Sequence, residues 1–187
     1  MAAPYVDDHT LRAHAVVYAR RARAQVEAFA EADQRQSTAF MHTKHRESIG
    51  TLDPGDATTR FTYGRVWDLG TEHYLAFVLL AQVARAVDRL GLDVPAYPGP
   101  LPIKLLRNLD EHWDEIDGSA LRALRDLEPT VARGQVWFGG GLVKIGHATT
   151  EELLAWLDGV DSIVRAAAER AGKPMPSDDD DVDLSSQ

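Results

Sequence analysis

Apolar residues recur every three or four positions through three long stretches of the chain, which is the pattern of amphipathic helices. The first stretch runs from about His9 to Gln36 and contains no glycine or proline. The second, from Gly64 to Leu90, is apolar around much of its circumference, and Gly91 is well suited to end it. The third begins at a capping box of Thr149 and Glu152 and extends to about Ala171. The pattern therefore predicts three long helices.

A fourth helix, roughly Pro102 to Ile116, is predicted after a stiff connector that contains four prolines. Residues 37–63 lose the helical periodicity and contain turn-forming residues, so a long connection is predicted there. A short helical turn is expected at 121–127, and residues 135–145 read as a β-hairpin around three glycines. The chain as a whole predicts an all-α fold, an up-down bundle of about four main helices with one small β-hairpin.

Length and composition indicate one domain. A chain of 187 residues with 44% apolar residues can form a single core, here residues 1–172. Residues 173–187 include five aspartates between positions 178 and 183 and are predicted to be a disordered acidic tail. The absence of cysteine excludes disulfides, thiol catalysis and zinc–thiolate sites. No signal-peptide pattern and no membrane-spanning apolar run is present, which predicts a cytoplasmic protein with no membrane partner.

The net charge of −9 gives no global reason to expect nucleic-acid binding. The predicted tail contributes five of the 29 acidic residues, which leaves 24 acids against 20 bases in the rest of the chain. Binding to RNA would need a local basic patch. The tail itself is either a solubilising segment or an acidic decoy that competes for a basic surface.

The predicted fourth helix concentrates the groups that could carry out chemistry. Arg107, Asn108 and His112 lie within six residues of one another, with several acids around them. Arginine forks onto phosphate oxygens, and histidine transfers protons near neutral pH. Such a pair suits phosphodiester cleavage without a metal, because one group moves a proton while the other stabilises the negative charge that develops on phosphorus.

This segment, Arg107-Asn108-Leu109-Asp110-Glu111-His112, resembles the signature of the HEPN superfamily. That signature is an arginine, a polar residue that is often asparagine, and then a histidine, on a late helix of a small bundle. The resemblance implies a metal-independent endoribonuclease of toxin or defence type, needing no cofactor. It also implies a homodimer with a composite cleft, cleavage to a cyclic phosphate, and an antitoxin or other protein partner. Arg107 and His112 would be catalytic, and Asn108 would orient a neighbour or bind phosphate.

Helical geometry leaves the role of this motif open. On an ideal helix Arg107 and His112 are about 140° apart, so a regular helix does not bring them together. Either the helix is distorted, the arginine reaches around, or a dimer completes the pair. In the alternative interpretation, Arg107 pairs with Glu111 four residues on and His112 is a hydrogen-bonded core residue.

Two further hypotheses compete with RNA cleavage. One is a non-catalytic interaction module, HEPN-like or unrelated, which would use the hairpin or the face of the fourth helix. The other is metal-dependent hydrolysis through His42 and His45 with scattered acids. Under the ribonuclease hypothesis, RNA phosphates would be neutralised by basic residues from several parts of the chain. These predicted substrate-binding residues are Lys104, Arg20, Arg21, Arg23, Lys44 and Arg46.

Overall fold

The structure is a computed structural model that describes residues 7–64, 70–111, 118–129 and 148–175. Six helices and no strands occur within these ranges, which confirms the all-α prediction for the described part of the chain. The predicted hairpin at 135–145 lies outside the described residues. In chain order the helices are α1 (Asp8–Ser48), α2 (Asp56–Gly64), α3 (Gly70–Leu90), α4 (Ile103–Glu111), α5 (Ser119–Leu127) and α6 (Thr150–Arg170).

The longest element is α1, with 41 residues and a length of about 60 Å. Its first turn is capped by the Asp7 carboxylate, which accepts hydrogen bonds from the backbone N–H groups of His9 at 2.9 Å and Thr10 at 3.0 Å. Its last turn closes at Gly50, where φ is +74°. The N–H of Thr51 then reaches back to the Arg46 carbonyl at 2.9 Å, so both ends of α1 are defined by local hydrogen bonds.

The predicted long connection at 37–63 was wrong, because α1 continues to Ser48 and α2 occupies Asp56–Gly64. Ala32 is the last buried residue of α1. Beyond it the helix covers little of the core, so the apolar periodicity fades although the helix does not end. The following α2 starts where the Glu47 carboxylate accepts a hydrogen bond of 2.6 Å from the Ala57 N–H. The remaining connection between the two helices is a short turn.

The helices pack around α1, which contacts α2, α3 and α6, while α3 contacts α4 and α4 contacts α5. One cluster of buried side chains joins α1, α3, α4, α5 and α6. Met175 also belongs to this cluster, although it lies in the segment predicted to be a disordered tail. The fully buried large side chains of the cluster are Leu80, Val83, Leu106, Leu121, Leu124, Leu157, Val160 and Val164.

The capping box predicted for the last helix is confirmed. Thr149 Oγ1 accepts from the Glu152 N–H at 3.2 Å, and the Glu152 carboxylate accepts from the Thr149 N–H at 2.7 Å. The helix α6 ends before Gly172, at φ +68°. Among the described helices, none combines the length and apolar character needed to cross a membrane.

Candidate anion-binding groove

The short helix α4 presents two basic side chains because its buried face fixes its rotation. Ile103, Leu106 and Leu109 recur every three residues and are all buried, with Leu106 completely enclosed. The Pro102 carbonyl accepts hydrogen bonds from two N–H groups of the first turn, at 2.9 and 3.2 Å. Lys104 and Arg107 therefore project away from the core, one turn apart on the same side of the helix.

Arg107 forms an ion pair with Glu111, four residues along α4. Its Nε donates to Glu111 Oε1 at 3.0 Å, and its Nη2 donates to the same oxygen. The two side chains are 30% and 29% exposed, so solvent reaches the pair. An intrahelical pair of this kind contributes only about 0.3–0.5 kcal/mol. Arg107 is therefore held in place but can exchange partners at little cost.

A groove of about 800 Å³ lies between α3, the connector 91–102 and α4. Arg107 and Lys104 line it from α4, and Arg85 and Arg89 line it from α3. Asp88 is the one acidic residue among the described residues that line it. Four cations stand against two carboxylates, Asp88 and the Glu111 that pairs with Arg107, which creates a local positive field in a chain whose net charge is −9. We call this feature the α3–α4 groove.

The groove contains two arginines that the sequence pattern did not single out. Arg85 and Arg89 are exposed, and they are four residues apart on the last turns of α3. They also border a smaller pocket on the other side of α3, next to His14 and Tyr18 of α1. Within the described residues, neither arginine forms an ion pair with an acid. The sequence feature that could have identified these two arginines is their i, i+4 spacing at the end of an otherwise apolar helix, which places both on one face.

The wall of the α3–α4 groove formed by the connector is anchored to α6. Trp156 Nε1 donates to the Pro95 carbonyl at 2.8 Å, and the Trp156 ring packs edge-on against Tyr97 with centroids 5.6 Å apart. The Tyr97 hydroxyl is buried and has no hydrogen-bond partner among the described residues. Burial raises the pKa of Tyr97 above its ordinary value, so this hydroxyl stays protonated.

The structure places the other predicted RNA-binding residues along α1, apart from the groove. Arg20 is half-buried and Arg21 is exposed. Arg23 binds Asp158 of α6 and Glu27, and these carboxylates raise the pKa of its guanidinium. Lys44 donates to Glu47 at 2.7 Å, and Arg46 is exposed. On a straight helix, residues 21 and 44 are about 35 Å apart. Of the predicted set, only Lys104 shares the α3–α4 groove with Arg107.

The remaining candidate residues have different positions. Asn108 is half-buried and does not line the groove, and His112 lies outside the described residues. His42 and His45 are both exposed on the last turns of α1. Among the described residues, no group of three or more metal-binding side chains comes together, so these two histidines have no third ligand there.

Comparisons with known proteins identify no relative of this chain. The chain matches no protein-family model, no curated protein and no solved structure. The geometry of the α3–α4 groove is therefore the basis for a functional proposal.

Proposed function

We propose that the protein binds RNA at the α3–α4 groove and cleaves it as a HEPN-like, metal-independent endoribonuclease. The observation that carries this proposal is that Arg107, the first residue of the HEPN-like motif, lines a groove with Arg85, Arg89 and Lys104. Phosphate groups supply most of the affinity of proteins for nucleic acids, and clustered basic side chains neutralise them. The local charge of the groove thus supplies the basic patch that the net charge of the chain lacks.

Arg107 would stabilise the charge that develops on the attacked phosphorus, after exchanging Glu111 for a phosphate oxygen. His112 would accept the proton of the ribose 2′-hydroxyl or donate a proton to the leaving 5′-oxygen, and water would carry out the other transfer. The 2′-oxygen attacks phosphorus as the bond to the 5′-oxygen breaks, which leaves a cyclic phosphate and a 5′-hydroxyl. Asn108 would orient a neighbouring side chain. No metal or cofactor takes part in these steps.

The wider proposal follows the HEPN resemblance. It includes an up-down arrangement of four main helices with a β-hairpin, a homodimer with two motif copies in one cleft, and a cytoplasmic location. It also includes a toxin or defence role with an antitoxin or other protein partner. Support for this part comes from the motif Arg107-Asn108-x3-His112, and from the placement of Arg107 on the short helix α4.

The test is an RNA-cleavage assay in EDTA with a broad panel of single-stranded and structured RNAs. Wild-type protein is expected to release products with cyclic phosphate ends, and His112→Ala and Arg107→Ala are expected to abolish cleavage. Arg21→Ala is the matched control, because Arg21 is an exposed arginine on α1 outside the groove. If wild-type protein leaves every RNA intact, the ribonuclease proposal fails.

A second function, a non-catalytic RNA-binding or protein-binding module, is favoured by the ion pair of Arg107 with Glu111. The same i, i+4 spacing, with the acid first, occurs between Asp161 and Arg165 of α6, at 2.7 Å. In that case Arg107 serves mainly to stabilise α4. Protein that binds RNA in a salt-dependent manner without cleaving it, and an Arg107→Ala variant that loses only stability, would favour this module over the enzyme.

A further inference from the structure

We propose that the acidic segment of this chain, residues 178–183, docks in the α3–α4 groove of the same molecule and competes there with other anions. The segment contains five aspartates in six positions, and it lies outside the described residues. Its consequence for RNA rests on the proposed function, because it concerns the regulation of that site. The docking itself rests on the cations of the groove and on the position of Met175.

The α3–α4 groove is a place where cations without an acidic partner converge. Arg85 and Arg89 line it from α3, and Lys104 lines it from α4. All three are exposed, and none forms an ion pair within the described residues. Arg107 completes the set, although Glu111 holds it. An anionic segment that entered the groove would therefore gain new contacts on two walls.

Many basic side chains on the other helices already contact acids. Such pairs occur at Arg23 with Asp158 and Glu27, Arg35 with Glu31, Lys44 with Glu47, Arg60 with Asp56, and Arg165 with Asp161. The exposed Arg21 and Arg46 are about 38 Å apart along α1, so one short segment does not contact both. The groove is thus the better match for a run of carboxylates.

The segment and the groove are complementary in charge. Asp88 and Glu111 offset two of the four positive charges, which leaves an excess of two. The acidic segment supplies five carboxylates within six residues. Carboxylates accept charge-assisted hydrogen bonds from guanidinium and ammonium groups, and these bonds are stronger than neutral ones. Successive aspartates can reach cations on both walls of the cavity at once.

The position of Met175 puts the groove within reach of the acidic segment. Met175 is buried in the core cluster, three residues before the first aspartate of the segment. Trp156, which packs against Tyr97 in the wall of the groove, lies about 21 Å along α6 from Arg170. Residues 176–183 can span up to about 28 Å. The anchor at Met175 therefore allows the last aspartates to enter the groove.

Attachment to the folded core makes a weak contact effective. A ligand tethered by a short linker acts at an effective concentration on the order of 1 mM. A contact with a Kd of about 0.1 mM would then fill the groove for about nine-tenths of the time. A competing anion must displace the segment, so its affinity falls about tenfold. Under the proposed function, the segment lowers the affinity for RNA without blocking the site.

The first experiment is zero-length carbodiimide cross-linking of the full chain, which joins a carboxylate to an amine where the two are in contact. Lys104 lines the groove, whereas Lys44 lies on α1 away from it, so mass spectrometry compares their cross-links to the acidic segment. The Lys104 cross-link should be about tenfold more abundant. It should largely disappear in about 0.5 M sodium chloride, because salt screens the charges. An equal mixture of unlabelled and isotopically labelled protein shows whether each cross-link lies within one chain.

A matched pair of variants tests whether the cations of the groove hold the segment. Arg89→Ala removes an exposed cation from the wall opposite Lys104 and leaves the reacting amine in place. It should reduce the Lys104 cross-link about threefold to tenfold. Arg21→Ala, which removes an exposed arginine of α1, should leave it unchanged. Circular dichroism checks folding, and Arg85→Ala takes the place of Arg89→Ala if that variant does not fold.

The second experiment measures how far the segment fills the groove. Wild-type protein and a charge-neutralised variant are titrated against a fluorescent peptide with the sequence of residues 176–187. The variant carries asparagine in place of Asp178, Asp179, Asp180, Asp181 and Asp183. It should bind the peptide about tenfold more tightly, because its groove is not filled from within. Adding Arg89→Ala should remove most of that gain and adding Arg21→Ala should not, which separates docking in the groove from a general effect of charge.

The outcomes distinguish this inference from the proposed function. Docking in the groove is refuted if Lys104 cross-links no more than Lys44, if Arg89→Ala leaves the cross-link unchanged, or if both proteins bind the peptide equally. Cross-links that join labelled to unlabelled chains refute docking within one molecule. Each of these results stands even where RNA is bound and cleaved. If docking occurs as expected but neither wild-type protein nor the charge-neutralised variant binds or cleaves RNA, the docking stands and the ribonuclease proposal fails.

Discussion

Two regions of this protein each carry several basic side chains, and the surroundings of these side chains differ. At the distal segment of α1, residues 33–48, Lys44 pairs with Glu47, which in turn accepts a hydrogen bond from the first turn of α2. In the α3–α4 groove, cations from two helices face one cavity, and Asp88 is the one acid among its described lining residues. In the distal segment Lys44 is held by a junction between two helices, whereas in the groove Arg107 is paired with Glu111 and Arg85, Arg89 and Lys104 form no ion pair within the described residues.

The two regions differ in whether their basic side chains come from one helix or from two. Lys44 and Arg46 are on one helix, where Glu47 three residues on pairs with Lys44 and Arg46 is exposed. Arg89 and Arg107 come from separate helices that meet through a buried core, with a groove left between them. A cavity with cations on two walls can surround a phosphate, which a single exposed helical face cannot do. The groove is therefore the stronger candidate site.

The largest expected effect tests whether the core supports the groove. Leu106→Ala should destabilise the protein by about 3 kcal/mol, because Leu106 is completely buried and its loss leaves a cavity beneath α4. Met41→Ala in the distal segment should change stability by less than about 0.5 kcal/mol, since Met41 is 66% exposed. Urea unfolding monitored by circular dichroism measures both. Equal, small effects would mean that α4 is not anchored as described.

The next effect tests the wall of the groove. A Cβ added to Gly99 would lie 2.7 Å from the hydroxyl oxygen of Tyr97, so Gly99→Ala forces the connector or the ring to move. We expect a loss of about 2 kcal/mol, the cost of overpacking a tight contact. Gly159→Ala within α6 is the control, because its Cβ would meet Pro95 at an ordinary 3.6 Å. That change should stabilise the helix by about 0.5–1 kcal/mol. Unfolding curves that rank the two variants in the opposite order would contradict the packing.

The helices that cover the core could be predicted from sequence, and the distal segment could not. The capping box at Thr149 and the apolar repeat of α6 carry their own signals. Beyond Ala32, however, α1 has no fully buried residue and only a half-buried stripe that is mostly polar, so the apolar periodicity on which the prediction depends fades. Polar side chains of this kind are also common in loops, so the sequence does not distinguish this part of the helix from a connection. The hydrophobic pattern therefore identifies buried residues directly, and it identifies a helix only where one face of that helix is buried.

The candidate site was predictable only in part, for a related reason. Arg107 and Lys104 lie in a segment rich in reactive side chains, so the sequence predicts a functional role for both. Arg85 and Arg89 lie in an apolar helix whose pattern indicates a core element, so the sequence predicts no binding role for them. Their importance arises from the packing of α3 against α4 and from the course of the connector, which no local pattern specifies.

A smaller expected effect compares the cations of the two regions directly. Arg85→Ala and Lys104→Ala should each weaken binding of single-stranded RNA about tenfold at low salt. Each should also reduce the slope of log affinity against log salt by about 0.7, since one phosphate contact is lost. Arg21→Ala and Arg46→Ala should change neither quantity. Fluorescence anisotropy at several salt concentrations provides the measurement. Equal losses from both pairs of variants would indicate diffuse attraction rather than a site.

The smallest expected effect concerns Glu47, whose charge stabilises the junction of α1 and α2. Hydrogen bonds from Lys44 and from the Ala57 N–H lower the pKa of Glu47 below its ordinary value. A lowered pKa in the folded state means that this stabilisation is complete above the ordinary glutamate pKa and is lost as the pH falls through the lowered value. Glu47→Gln should therefore lower the Tm at pH 7, and the difference from wild type should narrow towards pH 3.

Glu31→Gln is the matched control for this junction. Glu31 pairs with Arg35 across 3.6 Å, and both side chains are more than 70% exposed, so little stability depends on that pair. RNA binding should be unaffected in Glu47→Gln, because Glu47 does not line the α3–α4 groove. A pH-independent difference in Tm would show that Glu47 acts through packing rather than charge. A loss of RNA binding would instead mean that the distal segment of α1 affects the α3–α4 groove, although the two lie apart in the structure.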